Sequence, residues 1–222
     1  MVSVVTKIIG NKIYYYTQVS STNDIAHKMA REGAIEGTVI FADEQSNGRG
    51  KMGRVWLSPK GEGILASIIL RPDISFSVAH KFTIMAGIGI AKAIKDTFKL
   101  PVMIKWPNDI LINGLKVCGI LTESSSFGHG TSALEEGESR LQKECASLEY
   151  LIIGIGINTN SDKASLPEGA TSIKAELGKD IDRSGFAEVV LRTLDREYSA
   201  YLKSGFEEII SEYAKFACSR YR

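Results

Sequence analysis

Apolar positions recur along this chain with two periods, and each change of period marks a boundary between elements. Short apolar runs, rich in β-branched residues and bounded by turn formers, predict strands at residues 38–41, 63–70, 102–105 and 115–123. Residues 2–19 alternate in two runs about Gly10-Asn11, which predicts a hairpin whose second strand carries Tyr14, Tyr15 and Tyr16. Asn113-Gly114 predicts a further hairpin, joining residues 110–112 to the run that starts at Leu115. The unbroken apolar run over 150–158 predicts a strand buried on both faces, with Gly154 and Gly156 marking close backbone approach.

Helical spacing appears first at Ile25, Ala26, Met29 and Ala30, behind the cap-type residues Ser20 to Asp24, where Ser21 and Asp24 have capping-box spacing. Val78, Phe82, Met85, Ile88, Ala91 and Ile94 predict a long helix over 77–98, apolar nearly all round at 86–90 and therefore buried. Thr171-Ser172 leads into a short helical turn ending near Gly178. A long amphipathic helix follows through Phe186, Val190, Leu194, Tyr198 and Leu202, Gly205 ends it, and Phe206, Ile209, Ile210 and Tyr213 predict a last helix. The polar stretch 124–147 reads as a long connection with a helical piece over 133–144. With no repeat and no low-complexity linker, residues 1–222 read as one α+β domain.

Composition narrows the function classes. The net charge is +1, with 44% hydrophobic and 24% charged residues, which excludes disorder and gives no basic face for general nucleic-acid binding. Cys118, Cys145 and Cys218 are odd in number and lack Cys-x-x-Cys spacing, so neither a disulfide framework nor a zinc site is indicated and a reducing cytoplasm fits. The start of the chain lacks signal-peptide character, and no apolar stretch reaches membrane-spanning length. His27, His80 and His129 are scattered and read as surface or satisfied residues rather than ligands.

Against this balanced background, Gly48-Arg49-Gly50-Lys51-Met52-Gly53-Arg54 packs three glycines and three cations into one loop between two predicted strands. Glycine permits φ > 0 and close approach, and successive N–H groups in such a turn can cradle an anion. The loop is neither a P-loop nor a dinucleotide fingerprint. Taken alone it reads either as a solvated basic tip, a grip on nucleic-acid phosphate, or a cradle for a small anion. The Asn113-Gly114 hairpin gathers Lys105, Asn108, Asp109 and Lys116, two cations beside a carboxylate and an amide, which would otherwise be a surface salt bridge. Thr22 and Asn23 stand spare at a positive helix end, where polar ligand groups bind.

Together these pieces resemble the biotin protein ligase family. The motifs are Ser21-Thr22-Asn23, Gln45 ahead of the glycine loop, Lys105-Trp106-Pro107-Asn108-Asp109, Lys116 before Gly119-Ile120-Leu121, and Gly154-Ile155-Gly156-Ile157-Asn158, in that order over residues 14 to about 202. The resemblance implies a mixed, largely antiparallel sheet flanked by helices, akin to class II aminoacyl-tRNA synthetase cores. It implies a two-step ligase that makes biotinyl-5′-AMP from biotin and ATP with Mg²⁺, then passes the biotinyl group to a lysine of a biotin carboxyl carrier protein. By the same resemblance Ser21, Thr22, Asn23 and Gln45 line the polar end of the biotin site, and Arg49, Gly50 and Lys51 bind biotin and the adenylate phosphate. Lys116 is the principal catalytic cation, contacting biotin as well, with Arg49 and Asp109 as its catalytic companions. Lys51, Arg54, Trp56, Asn108, Asp109 and Asn158 bind the ATP end. No dedicated protein metal site is implied, since magnesium arrives with ATP.

The sequence departs from the family at Lys51-Met52, where members often carry arginines, and lysine lacks arginine's bidentate phosphate contact. The stretch 124–147 is longer than expected between its flanking motifs. The chain also stops soon after its last helix, where members continue into a small β-barrel-like domain, and it starts too close to Ser20 to hold a helix-turn-helix. A short form or a truncated chain is expected, without specific DNA or membrane partners, and a homodimer is compatible with it. The competing readings are a lipoate protein ligase and a non-catalytic nucleic-acid-binding module using the basic loop.

Overall fold

In the computed structural model, which describes residues 7–126 and 147–218, seven strands form one sheet in the order β1-β2-β3-β7-β6-β5-β4. The strands are β1 Lys12–Tyr16, β2 Thr38–Ala42, β3 Gly63–Leu70, β4 Val102–Lys105, β5 Asp109–Ile112, β6 Leu115–Ser126 and β7 Leu148–Asn158. Only β1 and β2 run parallel, so the sheet is mixed and largely antiparallel, as expected. The helices are α1 Thr22–Arg31, α2 Lys81–Phe98, α3 Ile173–Leu177, α4 Arg183–Ser204 and α5 Glu207–Phe216.

The two faces of the sheet are covered unequally. On one face α1 sets Ala26 and Ala30 against Ile40, Ile69, Tyr150 and Ile152. On the other, α2 and α4 bury Phe82, Met85, Ile88, Val190, Leu194 and Tyr198 in the main core. Because β3 and β7 lie under helices on both sides, they read as continuous apolar runs rather than alternating ones. A Cβ on Gly89 would sit 2.9 Å from Leu194, so glycine is what lets α2 and α4 approach so closely.

Three expectations change. The hairpin about Gly10-Asn11 does not form among the described residues. Instead the Lys7, Ile8 and Ile9 amides donate to the Asp195 carboxylate at 2.8–2.9 Å, and β1 pairs with β2 across the α1 crossover. Residues 1–6 lie outside the described part. The helix expected from residue 77 starts at Lys81, because Ser75 accepts from the Ser77 N–H and closes a separate 3₁₀ turn over Phe76–Val78. Residues 124–126 belong to β6 rather than to a connection, and the helical piece expected over 133–144 lies outside the described residues. Asn113 and Gly114 both take positive φ, 51° and 83°, as a two-residue primed turn requires.

Candidate active site

The β1-α1-β2 crossover builds one wall of the site. Since β1 and β2 run parallel, the start of α1 and the segment after β2 lie side by side, and Val19 bridges to Gln45 in parallel register. Gln45 Oε1 accepts from the Thr22 N–H at 2.8 Å and the Thr22 hydroxyl at 3.0 Å. This overturns the capping box: Ser21 makes no side-chain cap bond, a glutamine 23 residues away serves the helix end, and Asp24 pairs with Arg49 instead. Behind them Ser67 Oγ of β3 lies 2.7 Å from Thr22 Oγ1 and 2.6 Å from Asn23 Oδ1. Ser21, Thr22 and Asn23 are thus buried, and Thr22 and Asn23 are held by polar partners.

The glycine loop forms the roof. Arg49 and Val55 bridge, the Gly50 N–H donates to Arg54 O at 2.6 Å, and Met52 turns through φ 58° in a 3₁₀ turn over Lys51–Gly53. Arg54 Nε donates to Lys51 O. The loop ends on Trp56, whose indole lies over the glycines of β6 and β7. A Cβ on Gly156 would overlap the ring, and one on Gly119 would come within 2.9 Å of it. These two glycines face each other in register, so together they make a flat shelf for the indole.

The β5–β6 hairpin supplies the floor's charge. A bulge at Ile110/Leu111 shifts the register, leaving Lys116 opposite Leu111 with its Nζ 2.7 Å from Asp109 Oδ1 and 5.6 Å from the centre of the Trp56 ring. Asn108 is sewn to Ile120, accepting from the Ile120 N–H at 3.0 Å and donating to Ile120 O at 3.1 Å. Burial pushes the Lys51 amine below the usual lysine range, with Asp109 acting against it.

Ser21, Thr22, Asn23, Gln45, Arg49, Gly50, Lys51, Arg54, Trp56, Asn108 and Lys116 therefore line one open cleft. Asp109 reaches it through Lys116. Asn158 stands apart from the lining, at the end of β7, donating to Thr171 O at 3.0 Å with its own buried Oδ1 unpartnered among the described residues. Lys105 stays on β4, in register with Asp109. No group of three or more His, Cys, Asp or Glu side chains converges among the described residues.

Sequence reasoning missed Glu123. Its Oε2 accepts from Asn23 Nδ2 at 2.6 Å, and both its oxygens lie 3.2–3.3 Å from Arg49 Nη2. His27 Nε2 lies 3.5 Å from it, and His27 Nδ1 lies 3.2 Å from the buried Tyr150 hydroxyl, so His27 is a satisfied residue as expected. Burial alone would raise the Glu123 carboxyl, but hydrogen bonds from His27 and Asn23 and the charge of Arg49 outweigh it, holding the group down at about 2. Arg49, in turn, meets Asp24 through Nη1 and Glu123 through Nη2.

Comparison with known proteins agrees with this architecture. Residues 15–134 match the biotin/lipoate A/B protein ligase family. The chain is 38% identical over 208 residues to the bifunctional ligase/repressor BirA of Bacillus subtilis (strain 168), covering 92% of this chain and 59% of that protein. It is 30% identical over 197 residues to the biotin--[acetyl-CoA-carboxylase] ligase of Paracoccus denitrificans, covering 86% of this chain and 75% of that protein. A biotin protein ligase from Aquifex aeolicus, solved in complex with biotin and ATP, superposes with a TM-score of 0.72 at 25% identity, over 93% of this chain and 78% of that one.

Proposed function

Because the chain belongs to the biotin/lipoate A/B protein ligase family, we propose that it activates biotin with ATP and transfers the biotinyl group to a lysine of a carboxyl carrier protein. One observation carries the reading: a polar end built on Ser21, Thr22, Asn23 and Gln45 and a cationic end built on Lys51, Arg54 and Lys116 share a single cleft. In the first step a biotin carboxylate oxygen bonds to the α-phosphorus of ATP and the bond to pyrophosphate breaks. In the second, the lysine amine attacks the biotinyl carbonyl, AMP leaves, and the amine gives up a proton.

The first step joins two anions, so its barrier is chiefly electrostatic, and no side-chain nucleophile is needed. Lys116, which lines the cleft and is held by Asp109, is the cation that screens carboxylate from phosphate. Lys51 and Arg54 face the phosphate side. Asn108 and Asp109 bring oxygen donors to the nucleotide end, which fits Mg²⁺ carried on ATP rather than caged by protein; the ion supplies further charge neutralisation when bound. Asn158, whose buried carbonyl oxygen has no partner among the described residues, offers an acceptor for the adenine amino group. Trp56 closes the roof and keeps water from the mixed anhydride.

Mixing the protein with biotin, ATP and Mg²⁺ and analysing for biotinyl-5′-AMP by mass spectrometry tests this. The adenylate and pyrophosphate are expected. An adenylate formed with lipoate and not with biotin moves the chain to the lipoate branch, and no adenylate with either removes the reading.

A further inference from the structure

The glycine loop has little to hold it down. Met52 is 94% exposed, and Val55 and Leu57 are also turned to solvent, so the loop buries almost no apolar surface of its own before Trp56. Internal bonds between Gly50, Lys51 and Arg54 shape the loop without attaching it to the body. Beyond the backbone bonds at its base, from Ser46 to Val19 and Asn47 to Ser20, two side chains attach it among the described residues. One is the Trp56 ring on the Gly119 and Gly156 shelf. The other is the Arg49 guanidinium, which reaches Asp24 on α1 with one terminal nitrogen and Glu123 on β6 with the other.

We propose that Arg49 is a latch rather than a phosphate-binding cation, and that Asp24 and Glu123 are positioning residues that hold the glycine loop closed over the cleft. Three observations carry this. Both terminal nitrogens of Arg49 already face carboxylates, so its charge is compensated where it stands and contact with an anionic substrate would require giving one up. Glu123 and Asp24 do not line the cleft, whereas Arg49 and Asn23, which Glu123 holds, both do. Glu123 is itself braced from behind by His27, which is fixed by Tyr150, so the anchor is rigid. One carboxylate thereby sets two walls of the cleft at once, the amide of Asn23 on the helix and the start of the loop. The cations left to face phosphate are Lys51, Arg54 and Lys116.

Only the ligand-dependent part of this inference rests on the biotin reading, so the test begins without ligand. Amide hydrogen exchange of the ligand-free protein is expected to quicken roughly tenfold over residues 48–55 in Glu123→Gln, as for loss of one charge-assisted hydrogen bond, with β3 and β7 unchanged. Asp24→Asn, at a side chain 38% exposed and outside the core, is expected to act in the same direction and serves if Glu123→Gln does not fold. Arg49→Lys is not expected to restore protection, because an ammonium cannot bridge two carboxylates as the planar fork does. With substrates, Glu123→Gln and Asp24→Asn are expected to raise the biotin KM roughly tenfold while single-turnover pyrophosphate release at saturating biotin stays within about threefold. Unchanged loop exchange in folded Glu123→Gln and Asp24→Asn overturns the latch. So does an Arg49→Gln protein with parent-like loop exchange and a hundredfold slower release. If the loop loosens in the variants but the parent neither binds nor activates biotin, the latch stands and the biotin reading falls.

Discussion

At the scale of single residues, the site contrasts charges that are spent with charges that remain for substrate. Lys116 touches Asp109, yet its Nζ also stands beside the Trp56 face and lines the cleft, where a cation can act on a developing charge. Lys116→Ala is expected to slow biotinyl-AMP formation by roughly 10²–10³-fold, as for loss of one transition-state donor. The fold should survive, because the lysine side chain is partly exposed and the β6 backbone bonds do not depend on it. Transfer from preformed biotinyl-AMP should suffer less, since pyrophosphate release is then bypassed. Single-turnover pyrophosphate release checks this, and a rate within threefold of the parent removes Lys116 from the mechanism. Lys116, Thr22 and Gln45 were legible in the sequence because they sit in compact motifs. Glu123 was not, since a glutamate ending an alternating strand looks solvent-facing, and its partners lie 74 and 100 residues away.

At the scale of elements, glycine placement on paired strands decides how the roof meets the floor. The run over residues 150–158 was readable as a buried strand with close backbone approach, but what approaches it was not, because Trp56 arrives from a loop about a hundred residues earlier. Alternation likewise revealed β1 as a strand without revealing its partner, and the local hairpin lost to a parallel pairing made through α1. Gly156→Ala is expected to leave β7 intact, since alanine suits a strand, and to force the indole off its shelf. The expected destabilisation is about 1–3 kcal/mol if the ring stays and less if it leaves, with biotin affinity lost in either case. Denaturant unfolding beside biotin titration measures both, and parent-like values in the two together refute the shelf.

At the scale of the whole molecule, the far ends of the described chain are tied down at the two edges of the sheet. Asp195 on α4 takes three successive amides at Lys7, Ile8 and Ile9, fixing the approach to edge strand β1. Cys218 donates to Ile104 O and fastens the end of α5 to edge strand β4. Asp195→Asn keeps the shape but puts an amide where three donors converge, and is expected to cost about 2 kcal/mol in denaturant unfolding. A loss below about 0.5 kcal/mol would show that the tie is dispensable. The two tryptophans of the chain also stand in opposite surroundings: Trp56 is packed on the shelf with its indole nitrogen buried, while Trp106 is 54% exposed beside Tyr213. The molecule therefore carries its own optical reporter. In Trp106→Phe protein the tryptophan emission comes from Trp56 alone, so that biotin titrates as a shift in colour and intensity without any added dye.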